Sequence, residues 1–337
     1  MKGGQQFFKR VVEAMTAAGR KLPLAHPERH GVELTRNLSY CESGIPQRVW
    51  DVYRPQWGVG LMPAVLYLHG GGFRYCSKET HWMMALGFAL QGFTVFNVDY
   101  RLAPQHPYPA AFEDACAALA WLYEHAESYG VDPSRIVVAG ESAGANLATG
   151  LAIATSYPRA QPAARALWNL RIRPSAIVAL CGMLQVSNPE RITDRKSLNP
   201  WVRDRILEPA LGYAPRDEHV DRVFLDPLLY LEAGRVAKRK LPPFLVSVGT
   251  RDPMLDDSRR LAYALENLGV ENSIYYYPGA LHAFQAMIWS PSAKDYWRKQ
   301  ADFLDEIVGP LSPLGGDFVS LASLARVLGF GGRASGA

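Results

Sequence analysis

With 337 residues, 48% of them hydrophobic and 20% charged, the chain has the composition of a globular protein with one large α/β domain or two ordinary ones. Its net charge of +4 comes from scattered Lys and Arg, so it carries no nucleic-acid footprint. Phe7-Phe8 runs at once into Lys9-Arg10, too short for a secretory signal, and no stretch nears the roughly 20 apolar residues a bilayer requires. The expectation is a cytoplasmic protein with no stable membrane association. Cys41, Cys76, Cys116 and Cys181 lie far apart, with no paired spacing and no His beside them in the chain. They read as reduced thiols and not as a metal site.

Phe7, Phe8, Val11, Val12 and Met15 recur at helical spacing and predict an amphipathic helix over 5–18. Residues 32–38 and 48–53 alternate as antiparallel strands do, with a turn over 42–46. From Pro63 the chain alternates strand and helix, the pattern of parallel strands joined by crossover helices. Strands are predicted at 64–68, 93–98, 136–139, 175–180, 244–248 and 273–277. Helices are predicted at 80–90, 110–129, 145–154, 256–268 and 291–307. Between Gly182 and Pro227 the alternation stops in a segment rich in Arg, Asp and Pro, read as short helices inserted after a strand end, where lids and pockets tend to sit. The tail from Pro310 is Gly- and Ser-rich at both edges. Within it, 318–328 has the spacing of a short helix, docked, self-associating or disordered, so a homodimer stays open.

The chemistry centres on Gly140-Glu141-Ser142-Ala143-Gly144, where an apolar strand breaks and a helix begins. A Ser on such a turn is held in a strained backbone shape with its hydroxyl clear of the sheet, and a side chain at either flanking Gly would strike a neighbouring element. Three fixed positions alone recur by chance in roughly one chain in ten of this length, and a plain Gly-Ser helix cap is the bland reading, so the surroundings must decide.

A serine hydroxyl needs a base and needs donors for the charge that develops on the attacked carbonyl. His69-Gly70-Gly71-Gly72 follows a strand and leaves its N–H groups unshielded; Gly71 and Gly72, with Ala143 after the nucleophile, are the predicted oxyanion hole. The stretch lacks the Lys-Ser/Thr ending of a phosphate loop. Of eight histidines only His282 lies both late in the chain and beyond a strand, making it the predicted base. Asp252, just past the preceding strand, is the predicted acid, and Asp256 or Asp257 reads as a helix cap. No metal or organic cofactor is required by this chemistry.

Taken together, His69-Gly70-Gly71-Gly72, Asp99-Tyr100-Arg101-Leu102-Ala103-Pro104 with His106 to Ala110, Gly140 to Gly144, Asp252-Pro253 and His282 resemble the hormone-sensitive-lipase-like group of α/β-hydrolase esterases. The resemblance covers about 63–285. It implies an eight-stranded, mostly parallel sheet flanked by helices, the core being 46–182 with 228–309. It also implies a helical cap made of 1–45 and 183–227, with 310–337 left as a tail. It implies a structural role for the stretch from Asp99, and a small-molecule ester as the partner, of short to medium acyl chain. Phe7, Phe8, Phe73, Tyr75, Trp201, Tyr213 and Phe284 are the aromatics expected between cap and sheet, each of them equally compatible with plain core packing. Glu141 stands where Asp is usual, and Ala145 and Ala283 where Gly is commoner. Two rivals share the scaffold: an amidase or formamidase, and a receptor of the plant gibberellin kind, which lacks the catalytic His.

Overall fold

Continuous apolar runs and alternating ones occupy different places in a single sheet. The computed structural model describes residues 2–311 apart from 43, 194–197, 216, 218 and 219. Its strands are β1 (Val32–Ser39), β2 (Val49–Pro55), β3 (Met62–Leu68), β4 (Thr94–Val98), β5 (Val131–Glu141), β6 (Ala176–Leu180), β7 (Phe244–Gly249) and β8 (Asn272–Tyr277). They stand in the order β1-β2-β4-β3-β5-β6-β7-β8. β1 pairs with β2 and β2 with β4 antiparallel, and every other pairing is parallel. β3, β4, β6 and β7 are buried at every residue, as strands covered on both faces must be. β1, at the edge, is exposed along much of its length.

The helices are α1 (Lys2–Gly19), α2 (Trp82–Leu90), α3 (Ala110–His125), α4 (Ala143–Ser156), α5 (Pro162–Asn169), α6 (Glu190–Thr193), α7 (Pro200–Tyr213), α8 (Pro227–Glu232), α9 (Leu255–Asn267) and α10 (Pro291–Val308). Side chains of α3, α4, α5, α8 and most of the buried face of α9 form one apolar layer on the sheet. Those of α2 and α10 form the other. All eight expected strands are present. The helix expected over 110–129 divides at His125, where a 3-10 turn carries the chain to Gly130 at φ 67°. Helix α5 escapes the sequence reading because only Ala164 and Leu167 of it are buried, too few to set a period. No helix among the described residues is long and apolar enough to cross a membrane. The segment 318–328 lies outside the described residues.

The insertion leaves the sheet after β6 and returns at α8. Its root is pinned by two buried carboxylates. Asp257 accepts from the amides of Leu184 (2.9 Å) and Gln185 (3.3 Å) and pairs through both oxygens with the Arg191 guanidinium. Asp226 accepts from the amides of Val186 (2.7 Å) and Ser187 (2.9 Å). Asp257 is therefore a clamp on a distant loop and not the cap of α9, since a carboxylate this buried has to be matched by donors.

Candidate active site

Four neighbouring strands deliver the candidate residues in spatial order. Ser142 follows β5, Cys181 follows β6, Asp252 follows β7 and His282 follows β8. The glycine loop follows β3, on the other side of β5.

At the end of β5 the chain turns so sharply that Ser142 takes φ 53°, ψ −113°, a conformation a non-glycine residue holds only when its surroundings impose it. The surroundings are backbone. A Cβ on Gly144 would lie 1.9 Å from the Leu68 carbonyl oxygen, and one on Gly140 would lie 2.4 Å from the Gly144 carbonyl, so both flanks must be glycine. The Ser142 amide donates to Leu180 O (2.8 Å), tying the turn to β6. The first helical hydrogen bond of α4 runs from Asn146 N to Ser142 O (3.2 Å), so the N–H of Ala143 has no partner within the helix.

The glycine loop is shaped the same way. Gly71 and Gly72 have φ of 110° and 61°. A Cβ on Gly71 would fall 2.2 Å from Tyr75 O, and one on Gly72 2.7 Å from Pro209 Cβ, so α7 of the insertion rests directly on this loop. Beneath it, His69 stacks on Tyr100 (ring centroids 4.3 Å apart) and its Nδ1–H donates to Gly70 O (2.7 Å). Burial, with His81 nearby, drops the His69 pKa to about 3, so it stays neutral. The Tyr100 hydroxyl donates to His69 O (2.7 Å), and Ala103 N donates to Phe73 O (2.8 Å). Arg101 turns away onto Asp114, bonding both of its oxygens. This stretch braces the loop, as the resemblance implies.

Asp252, 3% exposed, lies within hydrogen-bond distance of His282 Nδ1 through both oxygens, at 3.0 and 2.9 Å. A neutral ring bonded this way carries its proton on Nδ1 and leaves Nε2 as the lone-pair nitrogen. Burial works against charging His282, but the Asp252 carboxylate beside it outweighs this and holds its pKa well above the ordinary imidazole value. Cys181 is fully buried at φ 39°. Its Sγ, a ring nitrogen of His282 and a carboxylate oxygen of Asp252 all lie within 4.8 Å of one another. Burial pushes the Cys181 thiol up, with His282 pulling it partly back.

Glu141 joins the two halves. Burial alone would raise its carboxyl, but His81 Nε2 (2.7 Å) and Gln285 Nε2 bond it and hold its pKa below the ordinary carboxylate value. The residue before the serine thus grips both the start of α2 and the loop that carries His282. That loop turns at Ala283 with φ 56°, a left-handed conformation where the resembling family more often has glycine.

The expected aromatics divide. Phe73 and Tyr213 are fully buried and stacked at 3.8 Å, welding the glycine loop to the end of α7. Phe284 is 1% exposed and packs on Tyr277 (4.6 Å) in the layer of α2 and α10, so it is a core residue of the far layer and presents no surface to a ligand. Tyr75 is half-buried, with the Arg74 guanidinium 5.9 Å from its ring centre. Trp201 is 55% exposed at the start of α7, beneath Arg205 at 4.9 Å. Sequence spacing held no signal for Cys181 beside His282, for the bridging role of Glu141, or for Pro209 against Gly72, since each is a contact between distant segments.

A family model described as the α/β-hydrolase fold matches residues 65–286. The chain is 32% identical over 242 residues to carboxylesterase NlhH of Mycobacterium tuberculosis, spanning 71% of each chain. It is 30% identical over 303 residues to ethyl acetate hydrolase of Pseudomonas putida, spanning 83% of this chain and 90% of that one. Among solved structures, an esterase from the bacterial hormone-sensitive lipase family matches with a TM-score of 0.68 at 28% identity, over 89% of this chain and 91% of that one.

Proposed function

The chain belongs to the hormone-sensitive-lipase-like esterases of the α/β-hydrolase family and is a carboxylic ester hydrolase, and we propose that it works through a serine acyl-enzyme. Ser142 attacks the ester carbonyl and His282, in its neutral form, takes its proton. Asp252 holds the ring in the tautomer that leaves Nε2 free and stabilises the imidazolium that forms. The N–H groups of Gly71, Gly72 and Ala143 receive the oxyanion, each worth roughly 10²–10³ in rate. His282 then protonates the leaving alcohol and activates the water that releases the acid.

The observation that carries this reading is the strained serine at the head of α4, set one strand away from Cys181, two from Asp252 and three from the His282 that Asp252 holds. Cys181 is the competing thiol beside that pair. It is fully buried with burial raising its thiol pKa, whereas Ser142 is partly open. A thiol kept protonated is a poor nucleophile.

In this reading 183–227, with the N-terminal segment 1–45, caps the site over a core of 46–182 and 228–309. Tyr75 and Trp201 are assigned to the entrance, and the Phe73–Tyr213 stack and Pro209 pack against the glycine loop. The family resemblance favours short to medium acyl chains, and one relative is named for ethyl acetate. The four cysteines are free thiols, which suits the cytoplasm. An amidase role is separated by comparing an ester with its amide analogue, and a receptor role by tight binding without turnover.

Ser142→Ala should lower turnover of a chromogenic short-chain ester by about 10⁴–10⁶ while far-ultraviolet circular dichroism and the unfolding midpoint stay unchanged. Wild-type turnover in a folded variant would mean that the nucleophile lies elsewhere.

A further inference from the structure

Cys181, Asp252 and His282 form a donor set that the ester-cleaving mechanism uses only in part. The three residues arrive from the ends of three adjacent strands, β6, β7 and β8. Their Sγ, carboxylate oxygen and ring nitrogen fall within 4.8 Å of one another. A tetrahedral zinc ion with one sulfur at about 2.3 Å and nitrogen and oxygen at about 2.0–2.2 Å needs its donors roughly 3.3–3.6 Å apart. The Asp252–His282 contact, at 2.9 Å, would open by about 0.5 Å, and the other separations, none above 4.8 Å, would close by at most about 1.5 Å to reach that spacing. Cys181 and Asp252 are buried, but the His282 side chain is 38% exposed and gives an ion a way in. One thiolate, one imidazole and one carboxylate suit a borderline-soft ion such as zinc or cadmium over magnesium or calcium, which prefer oxygen alone.

We propose that Cys181, Asp252 and His282 bind a zinc-class divalent cation, and that the bound ion reversibly inhibits the esterase. The ion enters as M²⁺, and the Cys181 thiol gives up its proton to solvent. The His282 nitrogen that binds does so through its lone pair, and any proton it carries is also released. No electron is transferred. Three protein donors leave a fourth position for water. With its ring held by the metal, His282 no longer accepts the Ser142 proton, and turnover stops until a chelator removes the ion. The inhibition half of this inference rests on His282 being the base; the binding half does not.

Cadmium titrated into the full chain reads binding through the ultraviolet thiolate-to-metal charge-transfer band, and zinc titrated into the ester assay reads inhibition. The expected result is a band that saturates at one equivalent, is erased by excess zinc, and is absent in Cys181→Ala. Zinc inhibition of the wild-type chain should be reversed by EDTA, and its half-inhibitory concentration should rise roughly tenfold or more in Cys181→Ala. Should that variant not fold, His282→Ala, which keeps the thiol and alters a partly exposed loop side chain, must also lose the stoichiometric band. A band of equal strength in the Cys181 or the His282 variant overturns the site. A Cys181-dependent band without inhibition leaves the site standing and overturns His282 as the base.

Discussion

The two halves of the active site are held by different forces. The elbow and the glycine loop are fixed by backbone against backbone: Gly144 against Leu68 O, Gly140 against the Gly144 carbonyl, Gly71 against Tyr75 O. The insertion is held by side chains: the Arg191–Asp257 pair, the amides gathered by Asp226, and the stack of Phe73 on Tyr213. Backbone contacts allow no substitute, because nothing can rotate away. Side-chain contacts give way in steps. The chemistry is therefore expected to fail abruptly on the sheet side and gradually on the insertion side.

Gly144→Ala should show the largest effect. The added methyl meets main-chain oxygens of Leu68 and His69 at 1.9 and 2.8 Å, so β3 and α4 must separate. Urea unfolding should report a loss of about 3 kcal/mol or more, with ester turnover lost alongside. Arg191→Ala should cost less, about 2 kcal/mol. It strips the partner from a buried carboxylate, yet Asp257 keeps its two amide donors. In that variant KM should rise several-fold while kcat holds, since the root of the insertion loosens and the elbow does not. An equal fall in kcat would mean that the two halves are not separable. Trp201→Ala should show the smallest effect: stability within about 0.5 kcal/mol, as for an exposed side chain, and a KM about threefold higher for a medium-chain ester. An unchanged KM would remove Trp201 from the entrance.

The same division decides what was legible in the sequence. Strands covered on both faces must be apolar from end to end, and the turn at Ser142 admits only glycine at its flanks, so sheet and elbow are written as residue types at fixed spacing. Asp252 and His282 were legible through their order after the last two strands, and the structure joins them. Contacts set by side-chain reach leave no such mark. Glu141 looked like a departure from the family pattern, and its length is what spans from His81 to Gln285. Asp257 looked like a helix cap until the root of the insertion was seen to close on it. Phe284, two residues after the loop His282, turned into the opposite layer because β8 and α10 offered it Tyr277 and Tyr296.

The central claim is that the hydroxyl of Ser142, and not the thiol of Cys181 two strand ends from the glycine loop, attacks the ester. Inactivation with a fluorophosphonate, followed by mass mapping of the proteolysed chain, tests it directly. The account predicts one adduct per chain, on Ser142, formed in step with the loss of ester turnover. An adduct on Cys181, or full inactivation with Ser142 unmodified, would contradict it.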